Sequence, residues 1–245
     1  MLFPSRLRNL STRDPEADQA LISIIIPTLN EEQYLRSCLE SLKNQTCPQE
    51  REFIIVDNRS TDDSLGIAAE EQAHRILIHP GRLGAVRNYG AKNARGHILA
   101  FIDADTLADR HWLSEILRTF DDPEVLGVTG PAVLLTEKLL DRWIYKIRTL
   151  LRRAAISLGL TDICPTNCAF RRAPFLKTGG FAETTDHCED FKLAKKIGHT
   201  GKFVFNSKMI VFTSPRRIER EGWMRFIGMG ILNALATLLT GRSVN

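Results

Sequence analysis

At 245 residues the chain is long enough for one large domain and too short for two of ordinary size. Hydrophobic residues make up 43% and charged residues 25%, which excludes a wholly disordered chain. The net charge of +4 is too mild to imply nucleic acid as a partner. The five cysteines, Cys38, Cys47, Cys164, Cys168 and Cys188, are odd in number and include no C-x-x-C pair. They read as reduced thiols in a cytosolic protein.

Residues 1–20 are polar and lack the apolar core of a secretion signal, so they read as a loose arm. The run Ile22 to Ile26, stopped by Pro27, predicts a strand buried on both faces. Asn30-Glu31-Glu32 opens a helical stretch in which Tyr34, Leu35, Cys38, Leu39 and Leu42 recur at helical spacing. A second strand spans Glu52 to Val56 and ends on Asp57. A polar turn follows, and Thr61 or Asp62 caps a helix from Ser64 to Gln72.

Arg75 to His79 predicts a third strand, broken by Pro80-Gly81. The next helix runs from Leu83 or Gly84 to Ala94, with Gly96 ending it. A fourth strand, Ile98 to Ile102, ends on Asp103-Ala104-Asp105. A helix from about Arg110 to Phe120 and a strand from Val125 to Val133 come next.

This alternation of strand and helix predicts an α/β domain, mostly parallel, with helices on both faces of the sheet. Ligands of such sheets bind at the carboxyl ends of the strands. Asp57 and the Asp103/Asp105 pair fall there.

Beyond this point the pattern loosens. Glu137 to Leu160 is one long helical segment. A short apolar segment lies at Ala169 and Phe170, then Gly179-Gly180-Phe181, then Glu189-Asp190 opening a helix through Ile197. Short strands are expected at Phe203 to Phe205 and Met209 to Phe212.

Three acidic positions bear on chemistry. In an extended segment, residues i and i+2 project the same way, so Asp103 and Asp105 would present two carboxylates to one ligand. Their mutual repulsion calls for a cation, and Mg²⁺ or Mn²⁺ suits carboxylate and diphosphate oxygens. A solvated turn capping a helix would use the same residues. Glu189 and Asp190 suit either a general base or simple complementation of a helix dipole. Asp57 can accept hydrogen bonds from a base or ribose, though turn chemistry favours the same residue type. Arg87 would set a cation near a diphosphate.

Taken in order, these segments resemble the family 2 nucleotide-sugar glycosyltransferases of the GT-A fold. The resemblance is carried by Ser23-Ile24-Ile25-Ile26-Pro27-Thr28-Leu29-Asn30-Glu31, Ile54-Ile55-Val56-Asp57-Asn58-Arg59-Ser60-Thr61-Asp62 and Gly84-Ala85-Val86-Arg87-Asn88-Tyr89-Gly90. It continues through Ile98-Leu99-Ala100-Phe101-Ile102-Asp103-Ala104-Asp105, Gly179-Gly180-Phe181 and Glu189-Asp190.

The resemblance implies a role for each matched position. Pro27, Thr28 and Glu31 line a nucleotide pocket, and Asp57 binds the base, usually uracil. Arg87 lies near the diphosphate. Asp103 touches the ribose or a metal-bound water, and Asp105 ligates the metal with Asp103 beside it. Asp190 is the catalytic base of an inverting transfer, with Glu189 next to it. Gly179 and Gly180 fall on the acceptor side; His187, outside the matched motifs but beside the proposed base, either shapes the acceptor pocket or serves a structural role. Arg59 departs from the small or acidic residue expected after Asp57-Asn58, which bears on the identity of the base. No Q-x-x-R-W motif is present, so a single addition is expected.

Leu134 to Arg172 carries eight basic residues against Glu137, Asp141 and Asp162, interleaved with Leu139, Leu140, Trp143, Ile147, Leu150 and Leu151. Such a basic amphipathic helix fits an anionic membrane surface, or else packs on the domain or forms a homodimer. The stretch from Phe226 to Thr240 is apolar and shorter than the ~20 residues that span a bilayer.

The resulting expectation is an arm at 1–20, a transferase domain at 21–215 and a helical segment at 216–245. The protein would be cytoplasmic and peripheral on the inner face of the membrane. It would use a nucleotide-diphosphate sugar and a polyprenyl-phosphate or glycolipid acceptor. The rival readings are a sugar-phosphate nucleotidyltransferase, which would need a Gly-rich basic loop absent near Pro27, and a catalytically inactive nucleotide-binding scaffold.

Overall fold

In a computed structural model, residues 22–159, 162–183 and 189–223 are described. The first half runs β1 (Ile22–Thr28), α1 (Leu35–Lys43), β2 (Arg51–Asp57), α2 (Ser64–Glu70), β3 (Arg75–Ile78), α3 (Leu83–Asn93) and β4 (Ile98–Ile102). Then come β5 (Thr106–Ala108), α4 (Trp112–Phe120), β6 (Val125–Thr129), β7 (Ala132–Leu134) and α5 (Leu139–Ser157). The last elements are β8 (Asn167–Arg171), α6 (Arg172–Thr178), α7 (Glu189–Thr200), β9 (Lys202–Phe205), β10 (Val211–Thr213) and α8 (Arg216–Glu221).

Seven strands form the main sheet in the order β3-β2-β1-β4-β8-β6-β9, and β5-β10-β7 form a small second sheet. The strands β3, β2, β1 and β4 are parallel to one another, while β8 runs antiparallel to both neighbours.

The alternation along β1 divides the core. Ile22, Ile24 and Ile26 meet α1, α2 and α4, whose Leu39, Ala68 and Ile116 are buried there. Ile25 faces the other way, toward Val86 of α3, Phe175 of α6 and Leu193 of α7. Both faces are therefore covered, which is why the strand needs no polar side. Gly90 lets α3 lie close: a Cβ there would sit 2.6 Å from Ile25 Cγ2.

Ser23, a buried polar residue within β1, is satisfied locally. Ser23 Oγ donates to Glu52 Oε1 at 2.5 Å, and that oxygen also accepts from Arg95 N at 2.7 Å.

Several boundaries differ from expectation. β1 continues through Pro27 to Thr28. The carbonyl of Thr28 accepts from Asn58 N on the β2 side, so Pro27, one residue earlier, faces β4. Pairing with β4 has already ended at Ile25, so the missing N–H breaks no ladder bond. α1 begins at Leu35 rather than Asn30, after a turn. α3 ends at Asn93 with Ala94 as its cap, within one residue of the expected end at Ala94. The segment 125–133 is two strands in two different sheets, because Gly130-Pro131 turns the chain between them.

Candidate active site

The carboxyl ends of β1, β2 and β4 converge on a cluster of acidic side chains. Asp57 closes β2 and is fully buried. Its Oδ2 accepts from Ser60 N at 2.9 Å, and its Oδ1 is buried with no partner. A buried carboxylate oxygen left unpaired is costly, and it marks a place where a ligand donor would be accepted.

The loops around it are tied together. Asn30 N donates to Ser60 Oγ at 2.9 Å, and Asn30 Oδ1 accepts from Thr61 N at 2.8 Å. Asn30 and Arg59 both hold left-handed backbone, with φ of 55° and 62°. Such conformations persist in non-glycine residues only where the surroundings enforce them.

Asp103-Ala104-Asp105 is not extended. It is a turn between β4 and β5, closed by Thr106 N donating to Asp103 O at 3.1 Å. The two carboxylates consequently have different partners. Asp103 accepts from Arg87 Nη2 at 2.6 Å and from Thr166 Oγ1 at 2.7 Å. Asp105 Oδ2 accepts from Arg216 Nε at 2.9 Å. The same guanidinium donates through Nη2 to Glu31 Oε1. Glu31 Oε2 is buried without a partner.

Burial raises the Glu31 carboxyl above its ordinary value, against the opposing pull of Arg216, with Asp105 and Asp103 adding to the rise. Burial also raises Asp105, reinforced by the negative charge of Asp103. Arg216 thus sits between two acidic groups that demand a cation.

Arg87 is only 1% exposed. Its Nη2 is committed to Asp103, and its guanidinium carbon lies 5.5 Å from the centre of the Phe181 ring. It therefore positions Asp103 from beneath rather than lying open on the surface for a diphosphate. Its neighbour Asn88 clamps the following loop: Oδ1 accepts from Phe181 N, and Nδ2 donates to Phe181 O, both at 2.9 Å.

Gly179 and Gly180, assigned to the acceptor side from sequence, take backbone roles here. Gly179 is the left-handed cap of α6 with φ of 83°. Gly180 has φ of 69°, and a Cβ there would lie 2.2 Å from Asn88 Oδ1. This loop leads toward α7, which opens on Glu189 and Asp190. The side chains of Glu189 and Asp190, and the whole of His187 and Cys188, lie outside the described residues.

Pro27 and Thr28 stand at the end of β1 beside Asp57, in register with Val56 and Asp57. Among the described residues, no three His, Cys, Asp or Glu side chains are grouped to hold a metal by themselves. A site completed by phosphate oxygens needs only one or two protein carboxylates, and Asp105 with Asp103 fits that requirement. Arg216 and Thr166 were not singled out as site residues from sequence. Arg216 follows Ser214-Pro215, 111 residues after its Asp105 partner, and nothing in local patterning links the two.

The family profile described as Glycosyl transferase family 2 matches residues 23–179. The chain belongs to glycosyl transferase family 2.

Among curated relatives of this family 2 enzyme, the O-antigen chain rhamnosyltransferase RfbN of Salmonella typhimurium is 26% identical over 232 residues. That match covers 87% of this chain and 72% of RfbN. A dolichyl N-acetyl-alpha-D-glucosaminyl phosphate 3-beta-D-2,3-diacetamido-2,3-dideoxy-beta-D-glucuronosyltransferase of Methanococcus voltae is 33% identical over 131 residues, covering 48% of this chain and 41% of that protein. Against several such relatives the chain spans well under two thirds of their length, 33% and 29% for two proteins of Bacillus subtilis.

Among solved structures, a mannosyltransferase of Pyrobaculum calidifontis in complex with GDP-Man and Mn²⁺ superposes with a TM-score of 0.71 at 19% identity, covering 91% of this chain and 65% of that one. TarS 1–349 of S. aureus in complex with UDP-GlcNAc gives 0.64 at 23% identity, covering 79% and 58%. The fold is that of the GT-A glycosyltransferases.

Proposed function

We propose that this family 2 enzyme is an inverting, metal-dependent transferase. It would move a sugar from a nucleoside-diphosphate sugar, with UDP-sugars favoured, to an acceptor hydroxyl or phosphate carried by a lipid at a membrane surface. The observation that carries the reading is the pair of buried, unpartnered oxygens, Asp57 Oδ1 and Glu31 Oε2. Asp57 ends β2 and Glu31 follows β1, the strand beside β4 and its Asp103–Asp105 turn, at the strand ends where ligands of such sheets bind.

Each residue then has a physical task. Asp57 accepts an N–H of the base, beside Pro27 and Thr28. Arg87 and Thr166 hold Asp103 toward the ribose side. Asp105 and Asp103 would hold Mn²⁺ or Mg²⁺, and the bound ion supplies Lewis-acid stabilisation of the departing diphosphate. Arg216, the cation already beside Asp105, is suited to pair with diphosphate oxygens.

Asp190 takes the proton from the acceptor O–H as that oxygen bonds to the anomeric carbon. The bond from that carbon to the diphosphate breaks, and the nucleoside diphosphate leaves with the electron pair. A positioned base contributes on the order of 10²–10⁴-fold.

The neighbouring structures with UDP-GlcNAc and with GDP-Man and Mn²⁺ support the donor class and the metal. Among the described residues, no helix is long and apolar enough to cross a membrane.

Thermal-shift binding of UDP, GDP and their sugars, with and without Mn²⁺, tests the reading. Saturation at a hundredfold excess over Kd stabilises by about 2.7 kcal/mol. A Mn²⁺-dependent shift with one nucleotide is expected. The absence of any shift would overturn the donor assignment.

A further inference from the structure

Helix α5 is built inside out. Its buried residues are Asp141 and Arg152. Asp141 accepts from Trp223 Nε1 at 2.5 Å, and Arg152 lies 3.4 Å from Asp162. Its leucines and its C-cap Leu158 point the other way: Leu139, Leu140, Leu151 and Leu158 are 65% to 80% exposed. At about 100° per residue, these four fall with Trp143, Ile147 and Leu150 on one continuous arc.

Arg142, Lys146 and Arg153 form a row along one edge of that arc. All three are exposed, and none has a carboxylate partner among the described residues. Lys146 Nζ lies 5.2 Å from the centre of the Trp143 ring.

Between this basic edge and β7 lies a cavity of about 420 Å³, walled by Leu134, Leu139, Arg142, Trp143, Tyr145 and Lys146, among others. Its position relative to the acidic cluster follows from strand register. Leu134 pairs with Thr213, and Thr213 pairs with Thr106, the residue after Asp105. Neighbouring strands lie ~4.8 Å apart, so the Leu134 end of the cavity is about 10 Å from the Asp103–Asp105 turn.

We propose that this groove is the acceptor-lipid site, and that its ligand is a long-chain phosphate lipid bearing a saccharide, presented from a membrane surface. This rests on the transferase reading above. The hydrocarbon lies against Leu139 and Trp143, continuous with the apolar arc that meets the bilayer. The phosphate is held by Arg142 and Lys146. It is thereby kept short of Asp105, so the group that reacts is a hydroxyl on the saccharide beyond it.

Charge complementarity selects this occupant. A neutral lipid leaves the basic row unmatched, and free phosphate leaves the apolar arc in water. A second copy of the chain with its α5 packed antiparallel on this face, related by a two-fold axis, would bring the same basic row against itself.

The test is vesicle flotation of the full chain. Phosphatidylcholine vesicles carry a few mole per cent of a long-chain isoprenyl phosphate. A parallel set carries phosphatidylglycerol at matched surface charge. The expected result is markedly stronger retention on the isoprenyl phosphate vesicles.

Arg142→Gln with Lys146→Gln should weaken that retention roughly thirty-fold while leaving the nucleotide thermal shift unchanged. Leu140→Asp with Ile147→Asp, on the outer face, should abolish retention on both vesicle types. Equal retention at matched charge overturns the proposal. So does retention that ignores the Arg142/Lys146 substitutions, or a solution dimer that the Leu140/Ile147 substitutions dissociate. Loss of the nucleotide shift in the unsubstituted chain would instead strike the transferase reading itself.

Discussion

Replacing Arg216 with Gln removes the cation that stands between two mostly buried carboxylates. The side chains of Glu31 and Asp105 are 10% and 14% exposed, and that of Arg216 is 39% exposed. Breaking a fully buried pair costs 3–5 kcal/mol, and an exposed one contributes at most about 1 kcal/mol. Solvent reaches this guanidinium, so the cost is discounted to about 2 kcal/mol. For a chain of this size that corresponds to a melting temperature lower by roughly 4–8 °C near neutral pH.

The sign of the pH dependence follows from the direction of the two carboxyl shifts. Glu31 and Asp105 are both raised in the folded state, chiefly by burial. Losing Arg216 raises them further. An acid with a raised folded pKa destabilises the fold above its unfolded pKa, because the folded state must then carry an unwelcome charge. The deficit of the variant is therefore full at neutral pH. It shrinks as pH falls through the raised folded values, and it is gone near pH ~4, the ordinary range for these groups.

Millimolar Mn²⁺ should restore more stability to the variant than it adds to the unsubstituted protein, since the cation place is open. Differential scanning calorimetry across pH and Mn²⁺ measures all three effects. A variant that melts within about 1 °C of the parent near neutral pH, or a deficit that does not change with pH, would refute the reasoning.

Three further outcomes are expected. Asp57→Asn keeps an acceptor for Ser60 N but loses the charge behind the unpartnered Oδ1, so nucleotide affinity by calorimetry should fall about 10- to 100-fold with melting temperature nearly unchanged. Gly180→Ala sets a Cβ against Asn88 at positive φ and should destabilise by about 1–3 kcal/mol in urea titration; a neutral substitution would refute the close approach. Asp190→Asn should abolish turnover in a donor-consumption assay while donor binding survives, and near-normal turnover would remove Asp190 as the base.

Much of the first half was legible because each of its signals is local. Ile98–Ile102 was expected as a strand and is one, since an unbroken apolar run between turns has few other uses. The same holds for the four parallel strands and for the placement of Asp57 and Asp103 at their tips. Local signals failed where one run serves two sheets, as in 125–133, and where the strand passes through Pro27 because no neighbour needs its N–H. They also failed at the Asp103–Asp105 turn, since spacing by two gives a shared direction only in extended backbone.

The amino-acid order by itself determined the α/β alternation and the strand ends on which Asp57 and Asp103 fall, because hydrophobic periodicity and turn chemistry act over a few residues; the family was legible only through its motifs taken in order. Only the tertiary structure decided what those acids touch. Arg216 reaches Asp105 across 111 residues of chain, Thr166 reaches Asp103 across 63, and Arg87 goes beneath the site rather than into it. Partners so distant in sequence are chosen by how the two sheets and their helices close together, and no local pattern encodes that closure.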